Sequence, residues 1–335
     1  MVRIFHNTRF QFVRHWRIAA IATVAFIVLG FASFAVTGGI PYSIEFTGGT
    51  MMQLKFKSAP DAGELRSTLT AAGIEDAEIA QYGSNTEYSI RARDAEHVES
   101  QAAGAETIAN QIESALRQKY GQDGFETVLS EAVGPRVGSE LRSGAATAIL
   151  IASLFTLIYL AVRFDWRFGL AAVLATAHDI LVTFAFIKLM NLEVSLTIVA
   201  AILTLLGYSA NDTIIIFDRV RENLRKQRKG ETMQEVLDRS INETLPRSIM
   251  THATTMAATL ALLFFAGDVI RPFAWVMTFG VFIATFSSMY VAGPLLLWIE
   301  RKYPRSVTEA AGRAVRSGKA GSEDRPRSPE KLAAR

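Results

Sequence analysis

The sequence predicts an α-helical polytopic membrane protein, with six transmembrane helices and a ferredoxin-like α+β extracytoplasmic domain inserted between helices one and two. Three observations predict it. Six runs of roughly 20 residues are long and apolar enough to cross a bilayer core about 30 Å thick. Lys and Arg crowd the same side of successive runs. Between the first two runs, apolar residues alternate between strand and helix periods in the order βαββαβ.

Composition supports that class. Half of the 335 residues are hydrophobic and the mean hydropathy is +0.22, which argues against a soluble enzyme. The net charge is +3, yet the basic residues sit beside apolar runs, where they orient helices in the bilayer. Lipid is therefore the expected surrounding, and nucleic acid is not an expected partner. The absence of cysteine excludes disulfides, thiolate catalysis and Cys-based metal sites. Five histidines without helix-spaced ligand pairs leave no metal site, and no cofactor is expected.

In chain order, residues 1–17 form a cytoplasmic segment in which Ile4, Phe5, Phe10, Phe12, Val13 and Trp16 interleave with Arg9 and Arg14. An amphipathic surface helix and a plain basic flank both fit this pattern. Residues 18–36 form the first span, a retained anchor because no small-residue cleavage pattern follows. Residues 37–142 form the exported domain, its candidate elements being Thr50 to Lys57, Asp61 to Ala72, Glu78 to Tyr82, Glu87 to Arg93, Val98 to Tyr120 and Glu126 to Ala132. Gly48-Gly49 before it and Val133-Gly134-Pro135 after it are read as turns, either hinges or plain linkers. Residues 143–303 hold five spans: Ser143 to Val162, Phe168 to Ile187, Val194 to Asn211 continuing to Phe217, Ser248 to Ala266, and Pro272 to Ile299. Residues 304–335, rich in Arg, Ser, Gly and Pro, read as a disordered cytoplasmic tail.

Basic residues orient the chain. Arg3, Arg9, Arg14 and Arg17 precede span one, Arg163 and Arg167 join spans two and three, eight Lys and Arg lie between spans four and five, and Arg301, Lys302 and Arg305 follow span six. The opposite short loops carry only Lys188 and Arg271. Both termini are thereby expected in the cytoplasm, with the long inserted domain outside.

The candidate site lies inside the membrane, where a carboxylate costs several kcal/mol unless it is partnered or protonated. Asp179 sits about twelve residues, or roughly 18 Å, into span three, near mid-membrane; Asp212 sits roughly 9 Å from the cytoplasmic face. Arg247, at the start of span five, is placed to pair with Asp212. Tyr208, Ser209 and Asn211 surround that aspartate, and Thr251, Thr255 and Thr259 continue one face from Arg247 at intervals of four, giving a polar seam. His178 adds a second titratable group beside Asp179, although neighbours on a helix point about 100° apart and need not touch. For Asp212 a proton-responsive role and a fixed salt bridge both remain open; for Thr255, Thr259 and His252 packing is favoured.

The run Gly207-Tyr208-Ser209-Ala210-Asn211-Asp212-Thr213-Ile214-Ile215-Ile216-Phe217-Asp218-Arg219-Val220-Arg221-Glu222 resembles the signature of the SecF family of protein-export membrane subunits. Ser240-Ile241-Asn242-Glu243-Thr244-Leu245-Pro246-Arg247-Ser248, Phe46-Thr47-Gly48-Gly49-Thr50 and Val133-Gly134-Pro135 resemble that family in the same order, so the resemblance covers about residues 10 to 303. It implies kinship with resistance-nodulation-division transporters, a six-helix partner, SecD, and an accessory role at the SecYEG channel, where the proton-motive force helps preproteins complete translocation. It also implies that Asp212 is the proton-coupling aspartate and Arg247 its basic counterpart, supported by Ser209 and Asn211. Ser43-Ile44-Glu45-Phe46 departs from the family, which commonly has an aspartate there, by a change that keeps the charge.

The chain carries no Gly-rich loop ending in Lys-Ser or Lys-Thr and no HExxH, and the exported domain offers no nucleophile with a base nearby, so a non-enzymatic role is expected. Two rivals remain: a proton-driven exporter of small hydrophobic molecules, which needs a larger exported domain, and a static membrane scaffold.

Overall fold

The computed structural model describes residues 8–74, 77–92, 103–228, 230–267 and 269–304. Among these, six helices are long and apolar enough to cross a membrane. The first is α1 (Trp16–Thr37); the inserted domain follows as α2 (Ile44–Thr47), β1 (Gly49–Phe56), α3 (Ala62–Ala71), β2 (Glu78–Gln81), β3 (Glu87–Ala92), α4 (Ala103–Tyr120) and β4 (Phe125–Val133). The remaining spans are α5 (Pro135–Arg163), α6 (Trp166–Leu189), α7 (Leu196–Arg225), α8 (Met233–Phe265) and α9 (Arg271–Ser287), the last continuing through a π turn at Ser288–Ala292 into α10 (Gly293–Lys302).

The domain is ferredoxin-like, an antiparallel sheet in the order β2-β3-β1-β4 with two helices on one face. Alternate residues of β1, namely Met52, Leu54 and Phe56, point to that face and bury against Leu65, Leu69, Ile112 and Leu116 of the helices. Asp61 caps α3 by accepting from the Glu64 N–H. Residues 93–102, where the end of one expected strand and the start of the second expected helix fall, lie outside the described residues, as does the tail beyond Pro304.

The helices overrun the apolar runs at one end. A hydropathy run marks where lipid surrounds a helix, whereas the helix itself continues as long as one face finds something to pack against. Leu237, Ile241 and Leu245 provide that face on α8, buried with Phe217 and Val220 of α7 and with Phe12 and Val13. A reciprocal capping box of Thr232 and Glu235 starts α8 beyond this contact. Residues 10–13 are held on α8: the Phe10 N–H donates to Asn242 Oδ1 (2.9 Å), Asn242 Nδ2 donates to the Phe10 carbonyl (2.8 Å), and the Val13 N–H donates to Asp238 Oδ1 (2.9 Å). Ile4 and Phe5 lie outside the described residues.

The domain sits against the far end of the bundle. Ser43 and Val194 share a backbone bond, the Val194 N–H reaches the Pro41 carbonyl, and Arg91 of β3 makes a two-pronged ion pair with Glu193. Glu45 accepts from the Leu196 N–H at 2.6 Å, which puts a carboxylate at the N-terminus of α7. Gly48 and Gly49 adopt φ of +75° and +123°, and a Cβ on Gly138 would lie 2.9 Å from the Gly48 nitrogen. The paired glycines therefore make a turn that α5 crosses at backbone contact.

A candidate proton site within the bundle

Among the described residues, two carboxylates are buried among the spans: Asp179 is 6% exposed and Asp212 is 5% exposed. They belong to two clusters rather than to one continuous seam. In the first, Asp179 of α6 accepts from Ser209 Oγ of α7 at 2.5 Å and meets His178 Nδ1 at 2.9 Å. The neighbouring side chains do touch, because the imidazole folds back across the 100° that separates them on the helix. Thr176, Thr183, Ile202 and Gly280 complete a cavity of ≈ 10 Å³ beside this cluster, about the room one water needs.

In the second cluster, Asp212 Oδ1 accepts from Ser248 Oγ of α8 at 2.6 Å, while Oδ2 is buried without a hydrogen-bond partner among the described residues. Ser248 also gives its carbonyl to His252 Nδ1 at 2.7 Å, and the ring of Tyr208 stands edge-on to that imidazole at 5.3 Å. Pro246 lies inside α8 two residues before Ser248. It has no N–H to donate, so the ladder of helix hydrogen bonds is interrupted close to the carboxylate.

The expected ion pair between Asp212 and Arg247 is not formed. Successive residues of α8 diverge, so Ser248 faces the buried carboxylate while Arg247 is exposed and lines a cleft with Arg163, Asp218 and Arg225. Asn211, expected in the seam, lies on the exposed side of α7. Ser209 serves Asp179 instead of Asp212. The hydroxyls of Thr251, Thr255 and Thr259 each bond a carbonyl of their own helix, those of Arg247, Thr251 and Met256. Sequence reasoning placed Ser248 within a motif and at the start of span five and gave it no further role. The signal that marks it is Ser248 and His252, one turn apart on α8, a row beside the one that starts at Arg247 and joining it at Thr255 and Thr259.

Two other buried cations have structural work. Lys188 donates to the carbonyls of Gly38 (2.8 Å) and Gly39 (2.7 Å), fastening the end of α6 to the end of α1. Arg167 donates to the Tyr303 carbonyl at 2.9 Å, tying the start of α6 to the end of α10.

Two family descriptions match the chain: "Protein export membrane protein SecD/SecF, C-terminal" over residues 111–302, and "SecD/SecF GG Motif" over residues 34–60. The chain belongs to the SecD/SecF family. The protein translocase subunit SecF of Gemmatimonas aurantiaca is 70% identical over 320 residues, 96% of each chain. That of Vibrio alginolyticus is 38% identical over 286 residues, 85% of this chain and 88% of the other. The crystal structure of SecDF, a translocon-associated membrane protein from a Thermus species, superposes with a TM-score of 0.76 at 35% identity, covering 88% of this chain and 39% of that one. This chain thus spans well under half of the solved SecDF chain. As a SecD/SecF family member it is a multi-pass protein of the bacterial inner membrane with an accessory role in protein translocation. The Gly-Gly turn that α5 crosses, Gly48-Gly49, lies within the SecD/SecF GG motif match.

Proposed function

We propose that the chain works with SecD at the SecYEG channel, using the proton-motive force to help preproteins complete translocation, and that it does so without enzymatic chemistry. Its termini lie in the cytoplasm and the segment from residue 37 to 142 lies on the outer side, following the basic residues of the short loops. Asp212 is the proton-carrying group. The observation that carries this reading is a carboxyl buried in a membrane span with one oxygen bonded to a neighbouring helix and the other without a hydrogen-bond partner among the described residues. A charged carboxylate in a membrane span costs several kcal/mol unless partners hold it.

The coupling runs through helix packing. An ionised Asp212 holds the Ser248 hydroxyl strongly and draws α8 to α7; a protonated one holds it weakly and frees that contact. Pro246 lowers the cost of bending α8 at this level. Arg247 supplies positive charge at the mouth of the cleft one residue away, favouring the ionised state as α8 turns inward. Asp179, with His178 and Ser209, is a second protonatable site about one helical turn along α7 from Asp212; Tyr208, Asn211 and Thr251 flank the two. A charge moved across about 100 mV gains about 2.3 kcal/mol, enough to bias two packings of one bundle.

The test is preprotein translocation into inverted membrane vesicles with and without a proton gradient, comparing the wild type with Asp212→Asn at equal SecD association. A variant that assembles but loses the gradient-dependent gain supports the reading. Retention of the gain makes Asp212 a static packing group, as in a scaffold. A loss of small hydrophobic-molecule efflux with translocation intact favours the exporter instead.

A further inference from the structure

A cavity of ≈ 520 Å³ opens where α5 ends and where α7 and α8 leave the apolar zone, and five arginines line it: Arg163, Arg219, Arg221, Arg225 and Arg247. Two carboxylates share its wall, and each is divided between cations. Asp218 takes Arg163 at 2.8 Å and Arg221 at 3.5 Å, while Glu222 takes Arg219 at 2.5 Å and Lys226 at 2.6 Å. The guanidinia of Arg225 and Arg247 have no carboxylate partner among the described residues, and both side chains are exposed. The positive charge of the cleft is therefore only partly compensated.

Its depth says what could reach it. Arg163 is the last residue of α5, and the exposed aromatic rings of Trp166, Trp298 and Tyr303 cluster at the same end of the bundle, the pattern of side chains at headgroup level. The two turns of α5 that lead up to Arg163 present Ile158, Tyr159 and Val162 to the outside, Val162 being 83% exposed. Acyl chains lying along that surface would bring their headgroups to the mouth of the cleft. Arginine forks fit a phosphate through paired N–H groups, and planar bidentate recognition of this kind distinguishes a phosphate from a diffuse negative surface.

We propose that this cleft binds the phosphate of an anionic phospholipid headgroup. The inference does not depend on Asp212 carrying a proton. Arg225 is the residue to probe, because it is exposed and holds no partner among the described residues whose loss would disturb the fold. The full chain in neutral detergent micelles is loaded with phosphatidylglycerol, with phosphatidylcholine as the uncharged-headgroup control, and retained lipid is counted by native mass spectrometry. Arg225→Gln should lower phosphatidylglycerol retention roughly fivefold, the equivalent of about 1 kcal/mol, and leave phosphatidylcholine unchanged. Arg225→Lys should fall between the two, having kept the charge and lost the fork. Glycerol 3-phosphate at the same concentration should not displace the lipid, since it lacks the chains. Equal retention by wild type and Arg225→Gln overturns the proposal. So does displacement by glycerol 3-phosphate, which makes the cleft a site for free phosphate, or displacement by an acidic peptide, which makes it a docking site for protein.

Discussion

Replacing Ser248 by Ala removes the hydrogen bond that the Asp212 carboxyl receives from α8, a buried contact of 2.6 Å. Because the other carboxyl oxygen has no partner among the described residues, the variant leaves the group without any side-chain donor. A hydrogen bond to an ionised group contributes roughly 1.5–3 kcal/mol, whereas side-chain bonds between membrane helices average about 0.6 kcal/mol. The cost of Ser248→Ala therefore reports the charge on Asp212. In the Asp212→Asn background, where the acceptor is neutral at every pH, the same substitution should cost about 0.6 kcal/mol throughout. In the otherwise native chain it should cost about 1–2 kcal/mol more than that where the carboxyl is ionised, and the two costs should converge once acid has protonated it. Reversible unfolding of the four chains in mixed micelles across pH measures both. Equal costs in the two backgrounds at every pH, within the usual ~0.5 kcal/mol of additivity, refute the claim that a titrating carboxylate holds α8.

Three further outcomes follow from the geometry. A side chain on Gly30 would meet the Ala185 backbone, its Cβ lying 2.6 Å from that Cα, so Gly30→Leu must part α1 from α6 at a cost of about 1–3 kcal/mol or more; in a chain with no native cysteine, cross-linking between Phe26→Cys and Phe279→Cys, whose rings stack at 5.6 Å, should drop severalfold. The Glu87 carboxyl is held below the usual carboxylate range, first by the Ser84 backbone N–H and then by Lys55 and the Ser84 hydroxyl. Its contribution to the β2–β3 turn is accordingly full above the ordinary glutamate pKa of about 4.3 and disappears as pH falls through the lowered native value; protection of the Ser84 amide relative to its intrinsic exchange rate should fall over that acid window in the wild type and show no such step in Glu87→Gln. Removing the partly exposed Arg91–Glu193 pair by Glu193→Gln should cost about 1 kcal/mol or less, and it should speed amide exchange at Ser43 and Val194, where the domain meets the bundle, while leaving the β1–β3 ladder as slow as before.

Much of this molecule is local and was therefore legible. The number of spans follows from the length of apolar runs, since water is absent from the bilayer core and a helix there satisfies its own backbone. The strand and helix order of the inserted domain follows from the side-chain period, with β1 through β4 falling within a residue or two of their expected bounds. The long motif around Asp212 was enough to indicate the family, because its residues are contiguous.

What the chain order could not settle is which neighbour each buried polar group would take. Arg247 and Ser248 are adjacent, and the choice between them for Asp212 depends on how α8 is rotated against α7, a quantity set by packing along the whole helix rather than by the local residues. The same rotation sends Ser209 to Asp179 and leaves Asn211 outside. The extension of α8 well before its apolar run likewise depends on a distant partner, the N-terminal segment at Phe10 to Val13. Sequence by itself determined the number of spans, the fold of the inserted domain and the presence of carboxylates within the membrane, because each is a property of consecutive residues. Only the tertiary structure divided the polar seam into two clusters and gathered five arginines from three helices into one cleft, because those contacts join residues far apart in the chain whose orientation is decided when the helices pack.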